Sequence, residues 1–105
     1  MKFRWIEGFM VRATARQKKG NPRGAIEDFD RAIQIHGGYF RAFNNRADAC
    51  LRKGEIDKAI ADCDAALRLH PGYTVALLTR GECREKKGDL DAAIKDYELA
   101  CACAT

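Results

Sequence analysis

The sequence contains no serine, only two prolines and a single tryptophan. Without serine there is no serine nucleophile. No glycine-rich phosphate loop and no Cys–His pairing with motif support stand in its place, so no enzymatic activity is expected. The scarcity of proline leaves little of the chain obliged to be loop. No apolar run approaches the roughly 20 residues that cross a bilayer. The opening stretch, MKFRWIEGFMVRATARQKKG, begins basic but is interrupted by Glu7 and Arg12. It therefore lacks the unbroken apolar segment and small-residue cleavage site of a secretory signal. The expectation is a cytoplasmic chain with no membrane partner.

Paired CxxC spacing is also missing. Cys50, Cys63, Cys83, Cys101 and Cys103 are odd in number, and they read as small buried thiols of a reducing compartment. Cys101 and Cys103 form a Cys-Ala-Cys pair, but His36 and His70 offer no common focus with them, and a metal site needs about four ligands. Neither a metal nor a cofactor is expected. The two cysteines fall on columns held elsewhere by Ile33/Leu67 and Ile35/Leu69, which reads as core filler.

What the chain does have is a repeat. It is 105 residues long, enough for one domain, with 47% hydrophobic and 32% charged residues. Gly20, Gly54 and Gly88 lie 34 residues apart, each after a lysine. In the same register stand Ala25/Ala59/Ala93, Ile26/Ile60/Ile94, Asp28/Asp62/Asp96, Ala32/Ala66/Ala100, Arg12/Arg46/Arg80 and Ala13/Ala47/Gly81. Tyr39 and Tyr73 close the first two units.

Each unit reads as two helices. Phe40 to Lys53 is rich in good helix formers, and Gly54 ends it with a left-handed turn. Asn21-Pro22 reads as a cap followed by proline at the first helical position, and Asp89 can cap the third unit. Ile56, Ala59, Ile60, Cys63, Ala66 and Leu67 follow the 3.6-residue period, and His70-Pro71-Gly72 ends that helix. The small column Ala13, Ala47, Gly81 is expected to face Ala25, Ala59, Ala93. Phe9, Phe43, Leu77, Phe29 and Tyr97 would fill the space beside that crossing.

With this period and these columns the chain resembles the tetratricopeptide repeat family. The second unit, FRAFNNRADACLRKGEIDKAIADCDAALRLHPGY, carries the resemblance on Phe43, Ala47, Gly54, Ala59, Ala66 and Pro71. The fold expected is all-α: a right-handed α-solenoid of three helix–turn–helix repeats, about six antiparallel helices. It would form a single domain over 1–105, divided into 6–39, 40–73 and 74–105.

Some columns depart from the family pattern. Arg12, Arg46 and Arg80 stand where the family has leucine, and Arg16, Cys50 and Arg84 where it has an aromatic. A cation near a core needs a partner. The acidic pairs Asp28/Asp30, Asp62/Asp64 and Asp96/Glu98 repeat in the same register. The expectation is a ladder in which each arginine meets a carboxylate within about 4 Å.

The resemblance implies that the first helix of each unit lines a concave groove that holds a peptide or helix of another protein. The groove residues would be Glu7, Met10, Val11, Thr14 and Lys18, then Arg41, Asn44, Asn45, Asp48 and Arg52. From the third unit would come Val75, Leu78, Thr79, Glu82 and Lys86. Asn44 and Asn45 stand out, since an amide can donate to and accept from a peptide backbone. Asn45 occupies the place of a clamp asparagine in family members that grip a carboxylate. The clamp cations are replaced by Met10, Val75 and Thr79, and a second asparagine by Thr14. The groove is thus expected not to be of the carboxylate-clamp type.

Two other classes stay in view. The net charge of +4 is concentrated at the start, where residues 1–39 hold eight basic and four acidic side chains. This keeps nucleic acid as a minor alternative, although no aromatic platform or groove-reading motif accompanies it. The ends are apolar and uncapped: Phe3, Trp5 and Ile6 at one, Ala93, Ala100 and Cys101 at the other. Either the chain self-associates as a homo-oligomer through terminal helices, or it is a piece of a longer array. Met1 favours the first.

Overall fold

The computed structural model describes residues 2–103, and side chains from residue 5 to 103. Phe3, one of the terminal apolar residues singled out above, lies outside those side chains. Six helices follow one another: α1 Lys2–Lys18, α2 Pro22–Ile35, α3 Phe40–Lys53, α4 Ile56–Leu69, α5 Thr74–Lys86 and α6 Leu90–Cys103. No strand occurs among the described residues. The architecture is an all-α solenoid measuring 42 × 27 × 19 Å.

The turns follow from local chemistry. Gly54 closes α3 at φ 92°, a conformation that a Cβ resists, and its backbone N–H donates to the Leu51 carbonyl at 3.1 Å. Asn21 caps α2 by accepting from the Gly24 N–H at 3.0 Å, with Pro22 opening the helix. Asp89 accepts from the Ala92 N–H at 3.3 Å ahead of α6. Such tight turns fold each helix directly onto the next, and α3 also touches α5.

Small residues set the helix crossings. Ala13, Ala25 and Ala49 are buried with Phe29 where α1, α2 and α3 meet. Ala47 and Ala59 are buried with Cys50, Leu51, Cys63 and Cys83, against which Ile26, Ile56 and Ile60 pack. A third cluster joins Ile6, Ala32 and Ala42, flanked by Ile33, Ile35 and Tyr39. Gly81 departs from the alanine pairing. A Cβ built there would lie 2.5 Å from Tyr97 Cε1, so the third crossing is filled by an aromatic ring from α6.

Candidate functional site

α1 and α3 stand side by side and enclose a concavity of about 450 Å3. Met10, Val11, Thr14, Ala15 and Lys18 line it from α1, Arg41 and Asn45 from α3, and Tyr39 from the preceding turn. Six of these eight were legible as groove residues. Ala15 and Tyr39 were not. Tyr39 had a signal, its repeat as Tyr73, but that periodicity read as the end of a unit.

The remaining groove candidates fall into three groups. Glu7, Val75, Leu78, Glu82 and Lys86 are exposed but do not line this concavity. Asp48 is committed to structure: one carboxylate oxygen accepts from Gln17 Nε2 at 2.5 Å and from Arg52 Nε at 3.1 Å, tying α1 to α3. Arg52 is thereby spent on its own helix.

Two candidates are corrected by the structure. Asn44 is 3% exposed, and its Oδ1 accepts no hydrogen bond. α3 is the middle of the three first helices, so neighbours on both sides cover a position that stays open on α5 as Leu78. Thr79 is likewise buried, with its hydroxyl donating to the Val75 carbonyl at 2.9 Å. Neither side chain can be the first contact of a ligand.

The arginine column forms a separate system that shares no residue with the concavity. Arg12 donates through Nη2 to Asp28 at 2.7 Å, and Arg16 Nη1 reaches the other oxygen at 3.1 Å. Arg46 meets Asp62 through Nε at 2.8 Å and Nη2 at 2.7 Å, while its Nη1 donates to Asp30 at 2.8 Å. Arg80 repeats this with Asp96 at 2.7 Å and Asp64 at 2.8 Å, and Arg84 adds a bond to Asp96 at 2.8 Å. Asp28, Asp62 and Asp96 are all buried. Hydrogen bonding to Asp62 and Asp96, against the opposing effect of burial, holds the Arg46 and Arg80 guanidinium groups above their ordinary range. Arg12 and Arg46 also lie over the Phe9 and Phe43 rings, at 5.6 and 5.4 Å.

This explains two departures from the family pattern. Arg16 and Arg84 replace an aromatic and become second cations on a buried aspartate. Cys50 stands in that column of the middle unit, where Arg46 alone serves Asp62.

All five cysteines are free, and Cys50, Cys63 and Cys83 are buried. Burial pushes the Cys50 thiol up to about 11. Cys101 and Cys103 are exposed, which corrects the reading of them as core filler: no described element packs on the α6 face that holds their column. Among the described residues, no group of three or more His, Cys, Asp or Glu side chains could hold a metal ion. Nor is any described helix long and apolar enough to cross a membrane.

The profile of the tetratricopeptide repeat matches residues 10–74, and a second profile of the same description matches residues 75–102. The chain belongs to the tetratricopeptide repeat family. Among solved structures it is similar to the second repeat domain of Spaghetti (RPAP3) bound to the HSP90 peptide SRMEEVD. That pair shares 30% identity over 92% of this chain and 90% of that one, with a TM-score of 0.88. The second such domain of human RPAP3, in complex with the HSP70 peptide SGPTIEEVD, is 28% identical over 98% and 86%, with a TM-score of 0.91. The Arabidopsis OM64 domain shares the fold at 24% identity over 98% and 85%, with a TM-score of 0.94. No curated protein sequence matches the chain. These neighbours include domains that bind peptides, and a protein-interaction module is the coarse functional class the family supports.

Proposed function

We propose that this chain, built as one domain from units 6–39, 40–73 and 74–105, holds a peptide or helix of another protein in its concave groove. The observation that carries the reading is the concavity between α1 and α3. There an apolar floor from Met10 and Val11 meets donors from Lys18, Arg41 and Asn45. Apolar floors with a few placed polar groups suit an extended segment or an amphipathic helix. Val75 and Leu78, about half exposed, extend the apolar surface onto α5.

The groove differs from those that would grip a terminal carboxylate. Met10, Val75 and Thr79 stand where clamp cations would, and Thr79 is buried, which leaves Lys18 and Arg41 as the cations of the concavity. A carboxylate needs converging cations. The reading is therefore a groove selective for apolar side chains, with the segment's backbone held by Asn45. Free buried thiols at Cys50, Cys63 and Cys83 suit a reducing, cytoplasmic setting.

The test is a peptide-display selection on the chain, with each hit titrated again against Val11→Asp and Asn45→Ala. Loss of about tenfold or more in both variants supports the groove; hits indifferent to both overturn it. The carboxylate question is settled separately by titrating SRMEEVD and its C-terminal amide. Equal, weak binding of the two is expected, and strong preference for the free carboxylate would overturn that part.

A further inference from the structure

The repeat leaves two unlike faces uncovered at its ends, and the interior of the stack shows what each one fits. Along α3 and α5, the small residues Ala42, Ala49, Ala76 and Cys83 are buried. Ala42 packs with Ala32 of α2, Ala49 with Ala25 and Phe29, and Cys83 with Ala59 and Cys63 of α4. The same register on α1 carries Gly8 and Ala15, both exposed. A Cβ on Gly8 would meet nothing within 4 Å. Beside it lies a concavity of about 420 Å3 bounded by Trp5, Gly8, Phe9 and Arg12, with Trp5 66% exposed.

The opposite face is on α6. Ile26 of α2 and Ile60 of α4 pack into the cluster that joins each helix to its successor. The next member of that column, Ile94, is 54% exposed. Ile56 packs into the same cluster, whereas its counterpart Leu90 is 57% exposed. Ile33 packs beside Ala42, whereas its counterpart Cys101 is exposed.

Charge repeats the pattern. Asp30 of α2 receives Arg46 Nη1, and Asp64 of α4 receives Arg80 Nη1, each at 2.8 Å. The third acid in that column, Glu98, is exposed and makes no ion pair among the described residues. The first arginine, Arg12, is 55% exposed, and its Nη1 donates no hydrogen bond among the described residues. Residues 1–39 carry eight basic and four acidic side chains, against five and six in residues 74–105.

We propose that α6 of one copy seats on α1 of a second copy, head to tail, continuing the interface that α2 makes with α3 and α4 with α5. Ile94 and Leu90 enter beside Ala15, as Ile26 does at Ala49. Cys101 fills the space at Gly8 and Trp5, as Ile33 does at Ala42, and Glu98 meets Arg12 Nη1. Because the two faces differ, the contact is heterologous and does not close on itself, so assembly is open-ended. It borders the concave groove at Ala15 alone, because neither Gly8 nor Ile94 lines it.

The experiment is sedimentation velocity on the full chain and two exposed-site variants, Gly8→Glu and Ile94→Glu, with circular dichroism to verify helix content. The wild-type average mass is expected to rise with concentration past that of a dimer, less so in high salt, where the Glu98–Arg12 attraction is screened. Either variant alone stays monomeric, because each has lost one face. Mixed, the two form a 1:1 dimer and nothing larger, since each supplies the face the other lacks. Glu98→Lys weakens wild-type assembly about tenfold. The proposal is overturned if the wild-type chain stays monomeric, which would leave these faces to a further repeat of a longer array. It is equally overturned if wild-type assembly stops at a dimer or the mixed variants do not associate.

Discussion

The backbone of Gly81 on α5 lies against the ring of Tyr97 on α6 so closely that a Cβ would approach Cε1 to 2.5 Å. The equivalent crossings pair Ala13 with Phe29 and set Ala47 in one cluster with Cys63. Gly81→Ala gains helix propensity of about 1 kcal/mol but must displace the ring, at about 1–3 kcal/mol. The expected net effect is a lower unfolding midpoint in urea. Adding Tyr97→Cys, which reproduces the pair of the middle unit, should make the alanine favourable. A double-mutant cycle showing additivity would sink this account of the crossing.

The arginine ladder predicts a ranking. Asp62→Ala removes the Nε and Nη2 partners of Arg46, which is only 24% exposed, leaving Asp30 on Nη1, and should cost about 3 kcal/mol. Asp30→Ala removes a 44% exposed partner of the same guanidinium and should cost less than about 1 kcal/mol. Equal losses in denaturant unfolding would show that burial does not govern the ladder.

The two neighbouring asparagines should separate cleanly. Asn44 buries an amide oxygen that accepts nothing, so Asn44→Leu is expected to raise the melting temperature, with apolar contact replacing an uncompensated polar group. It should leave peptide affinity unchanged. Asn45→Ala should do the reverse, with little change in melting and loss of bound peptide.

Thiol chemistry gives a further readout. In the native protein, Cys101 and Cys103 should react with a maleimide at the rate of free thiols, and Cys50, Cys63 and Cys83 only on unfolding. Burial raises the Cys50 thiol from 9.0 to about 11, so the folded state holds that proton more tightly than the unfolded one. Its contribution to stability is present below pH 9 and is lost as pH rises through about 11. A Cys50→Ala variant should therefore show a flatter decline in melting temperature across that window than the wild type.

The fold was legible because the features that build it are local and repeated. Gly20, Gly54 and Gly88 mark turns, and the alanine columns mark close crossings that recur unchanged. The groove was less legible because its openness depends on what stands beside each helix. Asn44 and Leu78 hold the same register position, yet one is covered and the other is half open. Nor could spacing alone reveal that Arg46 and Arg80 each take a second carboxylate from the preceding pair of helices. The alternation of charge along α2 and α4 carried that information, but only the helix packing shows which oxygen each nitrogen meets. Cys101 and Cys103 misled because apolar columns were taken for core: Ile33, Ile35 and Leu67 are only partly buried and Leu69 is exposed, and nothing described covers the two cysteines on α6.

Arg46 and Arg80 each join two successive helix pairs, whereas Arg12 is anchored within one. An interior unit cannot come apart without cutting bonds on both of its borders, and so the middle of the stack melts only together with its neighbours. α1 has no arginine shared between units and reaches the next one through the neutral Gln17 amide on Asp48. Loss of structure should begin there, run inward one unit at a time, and stall at the first arginine that belongs to two units at once.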